Sequence, residues 1–233
     1  MTVTERTPVA ADVLAALRTV RDPELDEDLV ALRFVAGVEV GDDGAVEVRL
    51  RLPTYWCAPN FAFLMAADAR AAIEAVPGVT AVRVVLEDHF ASAEIDGALA
   101  GGRDFDEAFE GDADGSGLTE LRTLFDRKAF LARQQRLCEA LLAEGRSPQE
   151  LASLTLGDLP PSEEAGHYLA RRADLGLDCS RDARFVVTPE GEPVGAERMA
   201  HVLRVGRSVR VSLDGNADLC RSLLATRYAL EDR

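Results

Sequence analysis

Leu52-Pro53-Thr54-Tyr55-Trp56-Cys57-Ala58-Pro59-Asn60-Phe61 joins a strand to a helix and places a cysteine at the joint. Upstream, Val46, Val48, Leu50 and Leu52 alternate with Glu47, Arg49 and Arg51, the two-residue period of a strand with one buried face. Downstream, Phe61, Leu64, Met65, Ala69 and Ile73 recur every three or four residues. Pro59 suits a first helical turn, where no amide hydrogen is needed, and Pro77-Gly78 stops the helix. Cys57 thus lies at or just before a helix N-terminus, where unpaired amides and the helix dipole favour a thiolate that is nucleophilic and binds metals. A small buried apolar residue is the alternative role for a single cysteine.

Working outward, Asp12 to Val20 reads as a short amphipathic helix with Val13, Leu14, Leu17 and Val20 on one face and Thr7 or Asp12 near its start. It ends at Asp22-Pro23. The proline pushes Asp22 out of helical geometry and leaves its carboxylate projecting from the helix end, either as a functional group or as an ordinary Asp-Pro turn. After the apolar connection Leu29 to Leu32, strands over Phe34 to Val40 and Ala45 to Leu52 flank the hairpin signal Gly41-Asp42-Asp43-Gly44. Val79 to Leu86 reads as a third strand. The order helix-strand-strand-helix-strand gives an α+β domain over residues 8–95, a small three-stranded sheet with two helices on one face.

Three features of Ala16 to Leu86 resemble the PaaD-like metal-sulfur cluster biosynthesis family, the SufT-type domain of iron-sulfur assembly and oxygenase maturation. They are the turn Asp22-Pro23-Glu24-Leu25, the acidic-glycine hairpin, and Thr54-x-x-Cys57 before the second helix, followed by Pro77-Gly78-Val79. The resemblance implies that Cys57 is the reactive or cluster-contacting thiol and that Asp22 and Thr54 line its pocket. Asp22 would tune the thiolate or take its proton, and Thr54 would donate a hydrogen bond to sulfur. The chain departs from the family where Ala58 separates Cys57 from Pro59, and where bulky Tyr55 and Trp56 come before the cysteine. It also has Asp88-His89-Phe90 where the family commonly has a Pro-Pro-Trp-like segment. His89 is therefore a candidate second metal ligand beside Cys57, or else a polar residue at a strand end.

Residues 96–117 are acidic and glycine-rich and read as a linker, in which Phe105 and Phe109 could dock on a partner or on the first domain. The acidic spacing does not fit an EF-hand. Residues 118–233 read as a mainly helical domain. A long helix covers Leu118 to Leu142, with Cys138 in its apolar stripe, and Ser147-Pro148-Gln149-Glu150 opens a short helix through Leu154. Glu163 to Leu175 reads as helix, and Pro189 to Glu192 as a turn between extended segments at Phe185 to Thr188 and Pro193-Val194. Glu197 to Val205 reads as helix, Ser208 to Leu213 as strand and Asn216 to Leu230 as a closing helix. His201 and Cys220 fall within helical patterns without a partner at metal-ligand spacing.

The formal charge of -15 opposes binding to nucleic acid and to anionic membrane surfaces. Four separated cysteines, with no CxxC pair, support neither a zinc ribbon nor a disulfide framework. No apolar run approaches a membrane span, and Met1 to Ala10 lacks a signal-peptide pattern, so a cytoplasmic protein is expected. One thiolate per chain cannot hold an iron-sulfur cluster alone. The expected cargo is a transient iron ion or Fe-S cluster, shared between two protomers of a homodimer, or between one protomer and a client metalloenzyme or other Fe-S assembly proteins. The expected role is an accessory factor, non-catalytic rather than an enzyme, that assembles or delivers iron or Fe-S centres to a client such as a multicomponent oxygenase, with the helical part recognising the client. Two alternatives stand beside it: a protein-protein adaptor in which Cys57 is structural, and a thiol transferase or hydrolase with Cys57 as nucleophile and His89 as base.

Overall fold

Val13 and Leu17 face inward one turn apart and define α1, Ala10–Leu17, whose start is fixed by the Val9 amide donating to the Asp12 carboxylate at 3.0 Å. Thr7, the other candidate for that role, lies outside the residues described by the computed structural model, which are 8–109 and 117–230. β1 is Val35–Val40 and β2 is Ala45–Arg51, paired antiparallel through the Gly41 to Gly44 turn. Gly44 has a φ of 81°, and a Cβ there would collide with the Gly78 carbonyl oxygen, so the hairpin tip requires glycine to seat on the turn that ends the next helix. That helix, α2, is Pro59–Glu74, with Ala58 as N-cap and a proline in the first turn.

β3, Ala81–Glu87, pairs parallel to β2 in the register Arg51↔Glu87, so the sheet order is β1-β2-β3 with β2 central. Val46, Val48 and Leu50 of β2 are buried, as the alternation requires, and pack with Phe34, Leu52, Met65, Ala69 and Ile73 in one core. The expected α+β unit is present. Two further helices follow: α3, Ser92–Gly101, which runs into the stretch read as linker, and α4, Phe105–Ala108, within it. The expected linker is partly helical over its described residues 96–109, and of the two docking options for Phe105 the first domain is the one found. Ile95, Ala98 and Leu99 of α3 are buried in the first core, and Phe105 stacks edge-on against Phe63 at 5.6 Å. Apolar spacing too sparse to register among the glycines and acids is stabilised here by a ready-made apolar surface.

The later helices are α5, Gly117–Ala143, α6, Pro148–Leu151, α7, Glu163–Asp174, and α8, Ala196–Tyr228. The capping of α6 is as the sequence reads: Ser147 accepts from the Glu150 amide, and the Ser147 amide donates to the Glu150 carboxylate at 2.7 Å. α6 stops at Leu151, however, short of Leu154. The strand expected at Ser208 to Leu213 does not exist; these residues are the middle of α8. Their β-branched alternation is overridden by charge pairs that only a helix aligns, Arg210 to Asp214 at 2.9 Å one turn on and to Glu139 of α5 at 3.2 Å.

The chain divides into two compact units, Met1–Glu120 with Asn216–Arg233, and Leu121–Gly215. The second core gathers Phe130, Leu137, Cys138 and Leu141 of α5 with Tyr168, Phe185 and Met199. Cys138 is core packing, as expected, with its thiol pushed up to about 12 by burial. Arg172 is also buried. Its guanidinium donates to the carbonyl oxygens of Asp178, Arg184 and Phe185 and to the Tyr168 hydroxyl. Residues from Asn216 onward belong with the first unit, where Ala217 and Leu224 enter the first core. The expectation of one helical domain over 118–233 places this closing segment in the second unit instead.

Candidate functional site

β2 and β3 run parallel, so the chain leaves both strands at the same edge of the sheet. The segment after β2 carries Thr54 and Cys57, and the segment after β3 carries His89 and Phe90. The Thr54 hydroxyl lies 3.3 Å from the Cys57 sulfur, a side-chain contact in which either atom can donate. The His89 ring crosses between the segments, with its Nε2 2.7 Å from the Cys57 carbonyl oxygen. Because that oxygen only accepts, Nε2 carries the proton, and Nδ1 accepts from the Ala91 amide at 3.2 Å. A third link is the Phe90 amide donating to the Tyr55 carbonyl at 3.2 Å.

Both His89 nitrogens are therefore committed to backbone groups, and neither offers a lone pair to a metal beside Cys57 or to the Cys57 thiol as a base. His89 holds the cysteine loop. Burial keeps its pKa below the ordinary histidine value, the bond to the Cys57 carbonyl opposes that shift, and the nearby Arg227 charge adds to it. Among the described residues, no group of three or more His, Cys, Asp or Glu side chains is arranged to hold a metal ion.

Asp22 is 7% exposed, in the loop between α1 and β1. One carboxylate oxygen accepts from the amides of Glu24 and Leu25 at 2.8 and 2.9 Å, which is the Asp-Pro turn expected there. Burial outweighs those two bonds and pushes the pKa up to about 6. The Asp22 charge also acts on Cys220, whose thiol is pushed up to about 11, chiefly by burial and then by Asp22 and Cys57.

Around Cys57 the surface is aromatic. Trp56 is 73% exposed, and its ring lies 4.9 Å from Tyr55 and 5.2 Å from Phe90, both of which are also exposed. His89 backs Phe90 at 4.9 Å. Three exposed aromatic rings thus cluster beside the half-buried Cys57. A depression lined by Val40, Gly41, Val46 and Arg83 sits at the opposite end of the strands, away from Cys57.

Sequence reasoning passed over Arg227. Arg227 donates to the carbonyls of Leu52 and Asp88 at 3.1 and 2.5 Å, clamping the two chain segments where they leave β2 and β3. The signal available for this helix face was the spacing Leu213, Ala217, Cys220, Leu224, Tyr228, an apolar stripe that needed a partner.

A family model described as iron-sulfur cluster assembly protein matches residues 10–84. The chain is similar to an uncharacterised protein of Methanocaldococcus jannaschii, 35% identical over 88 residues that make up 38% of this chain and 90% of that protein. It is also similar to an Fe-S protein maturation auxiliary factor of Porphyromonas gingivalis, 37% identical over 75 residues, 32% of this chain and 70% of that protein. No solved structure matches.

Proposed function

The chain belongs to the iron-sulfur cluster assembly protein family, and from that premise we propose that Cys57 is the thiol through which it contacts its iron or Fe-S cargo on the way to a client metalloenzyme. The observation that carries this reading is the way Cys57 is presented. The thiol is half exposed, its hydroxyl partner Thr54 lies 3.3 Å away, and its carbonyl is fixed by His89 at 2.7 Å. A side chain serving only the core would need neither link.

A cargo held through few protein ligands can be passed on by ligand exchange, because the remaining positions on iron belong to the donor, the client or small thiols. Thr54 would donate to the sulfur once it is a thiolate, and His89 would keep the loop in place during exchange. The exposed Tyr55, Trp56 and Phe90 rings would rest against the protein that gives or receives the cargo. The PaaD-like, SufT-type subtype, an oxygenase client and a cytoplasmic setting belong to this same proposal, with the helical second unit recognising the client. Among the described residues, no helix is long and apolar enough to cross a membrane.

Anaerobic reconstitution with iron and sulfide tests the reading. Iron per chain and visible absorption should be chelator-labile in the native protein and fall at least several-fold in Cys57→Ser. Equal, negligible binding by both proteins would overturn direct carriage and leave an adaptor role.

A further inference from the structure

The pairing of β2 with β3 ends at Arg51↔Glu87. The next residue on each strand, Leu52 and Asp88, gives its carbonyl to a single guanidinium. Arg227 donates through Nη1 to Leu52 at 3.1 Å and through Nη2 to Asp88 at 2.5 Å. Farther along, the same two segments are joined again, by the His89 ring on the Cys57 carbonyl at 2.7 Å and by the Phe90 amide on the Tyr55 carbonyl at 3.2 Å. Arg227 therefore takes the step between the end of the sheet and the cysteine segment.

Its position is set by the helix that carries it. Arg227 lies near the end of α8, outside the matched residues 10–84 but in the same compact unit as Cys57. Ala217 and Leu224, buried in the first core, fix the rotation of this closing segment, and Arg221 reaches Glu27 at 2.5 Å. The Arg227 guanidinium lies over the Tyr228 ring at 5.1 Å, and that of Arg51 lies over the same ring at 5.2 Å. Asp88, whose carbonyl Arg227 holds, has a φ of 48°, a left-handed bend that a residue other than glycine adopts at a cost. A charge-assisted hydrogen bond on that carbonyl offsets the cost, directly before His89.

We propose that Arg227 is a positioning residue of the Cys57 site: by bridging the Leu52 and Asp88 carbonyls it holds the cysteine and His89 segments together, and through them the half-buried Cys57. The proposal rests on the carrier reading for its consequence, retention of iron, while the geometry itself concerns the thiol alone. It makes the closing segment of α8 part of the site. Arginine suits this task because its rigid planar fork presents donors on separate nitrogens and stays charged at any ordinary pH. Lysine offers the same charge on one nitrogen, without the fork. With the bridge removed, the two segments are free to part beyond the last sheet pair, and the Cys57 sulfur becomes more accessible.

Trp56, the sole tryptophan of the chain, lies in the cysteine segment and reports on it directly. The full-length native protein is compared, before any metal is added, with Arg227→Gln, Arg227→Lys and Arg221→Gln, the last of which breaks a different link of the same helix segment. In Arg227→Gln, Cys57 should be alkylated about tenfold faster, the factor that one charge-assisted hydrogen bond corresponds to. Its Trp56 should also show faster anisotropy decay and stronger acrylamide quenching, with the far-ultraviolet circular dichroism unchanged. Arg221→Gln should match the native protein in each readout, and Arg227→Lys should fall between; if Arg227→Gln does not fold, Arg227→Lys carries the comparison. Equal changes in the Arg227 and Arg221 variants would reduce Arg227 to ordinary helix docking and overturn the proposal. Native alkylation and anisotropy in Arg227→Gln, or full recovery in Arg227→Lys, would overturn it too. After loading with iron and sulfide, Arg227→Gln should lose iron several-fold faster than the native protein, and equal loss would remove Arg227 from the carrier site. A native protein that takes up no iron would defeat the carrier reading alone, because the alkylation and fluorescence comparison involves no metal.

Discussion

The two units use buried polar groups in opposite ways. In the second, Arg172 and Tyr168 are sealed inside, and their hydrogen bonds go to carbonyls and side chains of the same core. In the first, His89 and Asp22 are equally hidden, yet their bonds hold loops: the Cys57 segment for one, the Asp22-to-Leu25 turn for the other. The arrangement in the second unit completes a core, whereas that in the first fixes a half-buried cysteine beside exposed aromatic rings. The difference separates structural polarity from positional polarity and is the reason the proposed site is placed in the first unit.

Substitution should expose that contrast most strongly at Arg172. Arg172→Met leaves the Asp178 and Arg184 carbonyls and the Tyr168 hydroxyl without the guanidinium donor, and should cost the second unit about 3 kcal/mol or more in chemical denaturation, the range for a broken buried network. A loss under about 1 kcal/mol, the worth of one ordinary hydrogen bond, would mean that the network is dispensable.

Asp22 should respond to pH with a defined sign. Its pKa is raised in the fold to about 6, so the folded state holds the proton more tightly than the unfolded chain. The stability this confers is complete below the ordinary carboxylate range and is lost as the pH rises through about 6. Asp22→Asn keeps an acceptor for the Glu24 and Leu25 amides and removes the charge. It should therefore stabilise the protein by about 3 kcal/mol at pH 8 relative to wild type, with little gain at pH 4. A gain independent of pH in denaturation curves would refute the assignment.

His89→Ala removes the link to the Cys57 carbonyl and should cost about 1–2 kcal/mol, with faster loss of reconstituted iron. Unchanged iron retention would deny His89 its positioning role. The smallest effect on stability belongs to Trp56→Ala, within about 0.5 kcal/mol because the ring is exposed. That variant should nonetheless slow transfer of the cargo to an apo-protein acceptor by several-fold; equal transfer rates would remove the aromatic cluster from the contact surface.

Much of the first unit was legible because its signals are local. Alternation in Ala45 to Leu52, the Gly41 to Gly44 turn and Pro59 each act within a few residues, and the structure follows them. The juxtaposition of Thr54 and Cys57 is likewise a matter of three positions. Illegible were the features set by partners distant in sequence. Ser208 to Leu213 alternates like a strand but is held helical by Glu139 and Asp214. α3 hides among glycines and acids because its apolar residues find the sheet only after folding. The ring nitrogens of His89 had no visible fate until the backbone of Cys57 and Ala91 surrounded them. Arg227 gave no sign of its place, since it meets the Leu52 and Asp88 carbonyls through contacts spanning more than half of the chain.

The central claim, that Cys57 meets the cargo, is tested most directly by anaerobic alkylation mapped residue by residue, before and after loading with iron and sulfide. Cys57 should react readily in the unloaded protein, be protected on loading and regain reactivity after chelation. Equal alkylation of Cys57 in loaded and unloaded protein, with iron demonstrably bound, would place the cargo elsewhere and contradict the account.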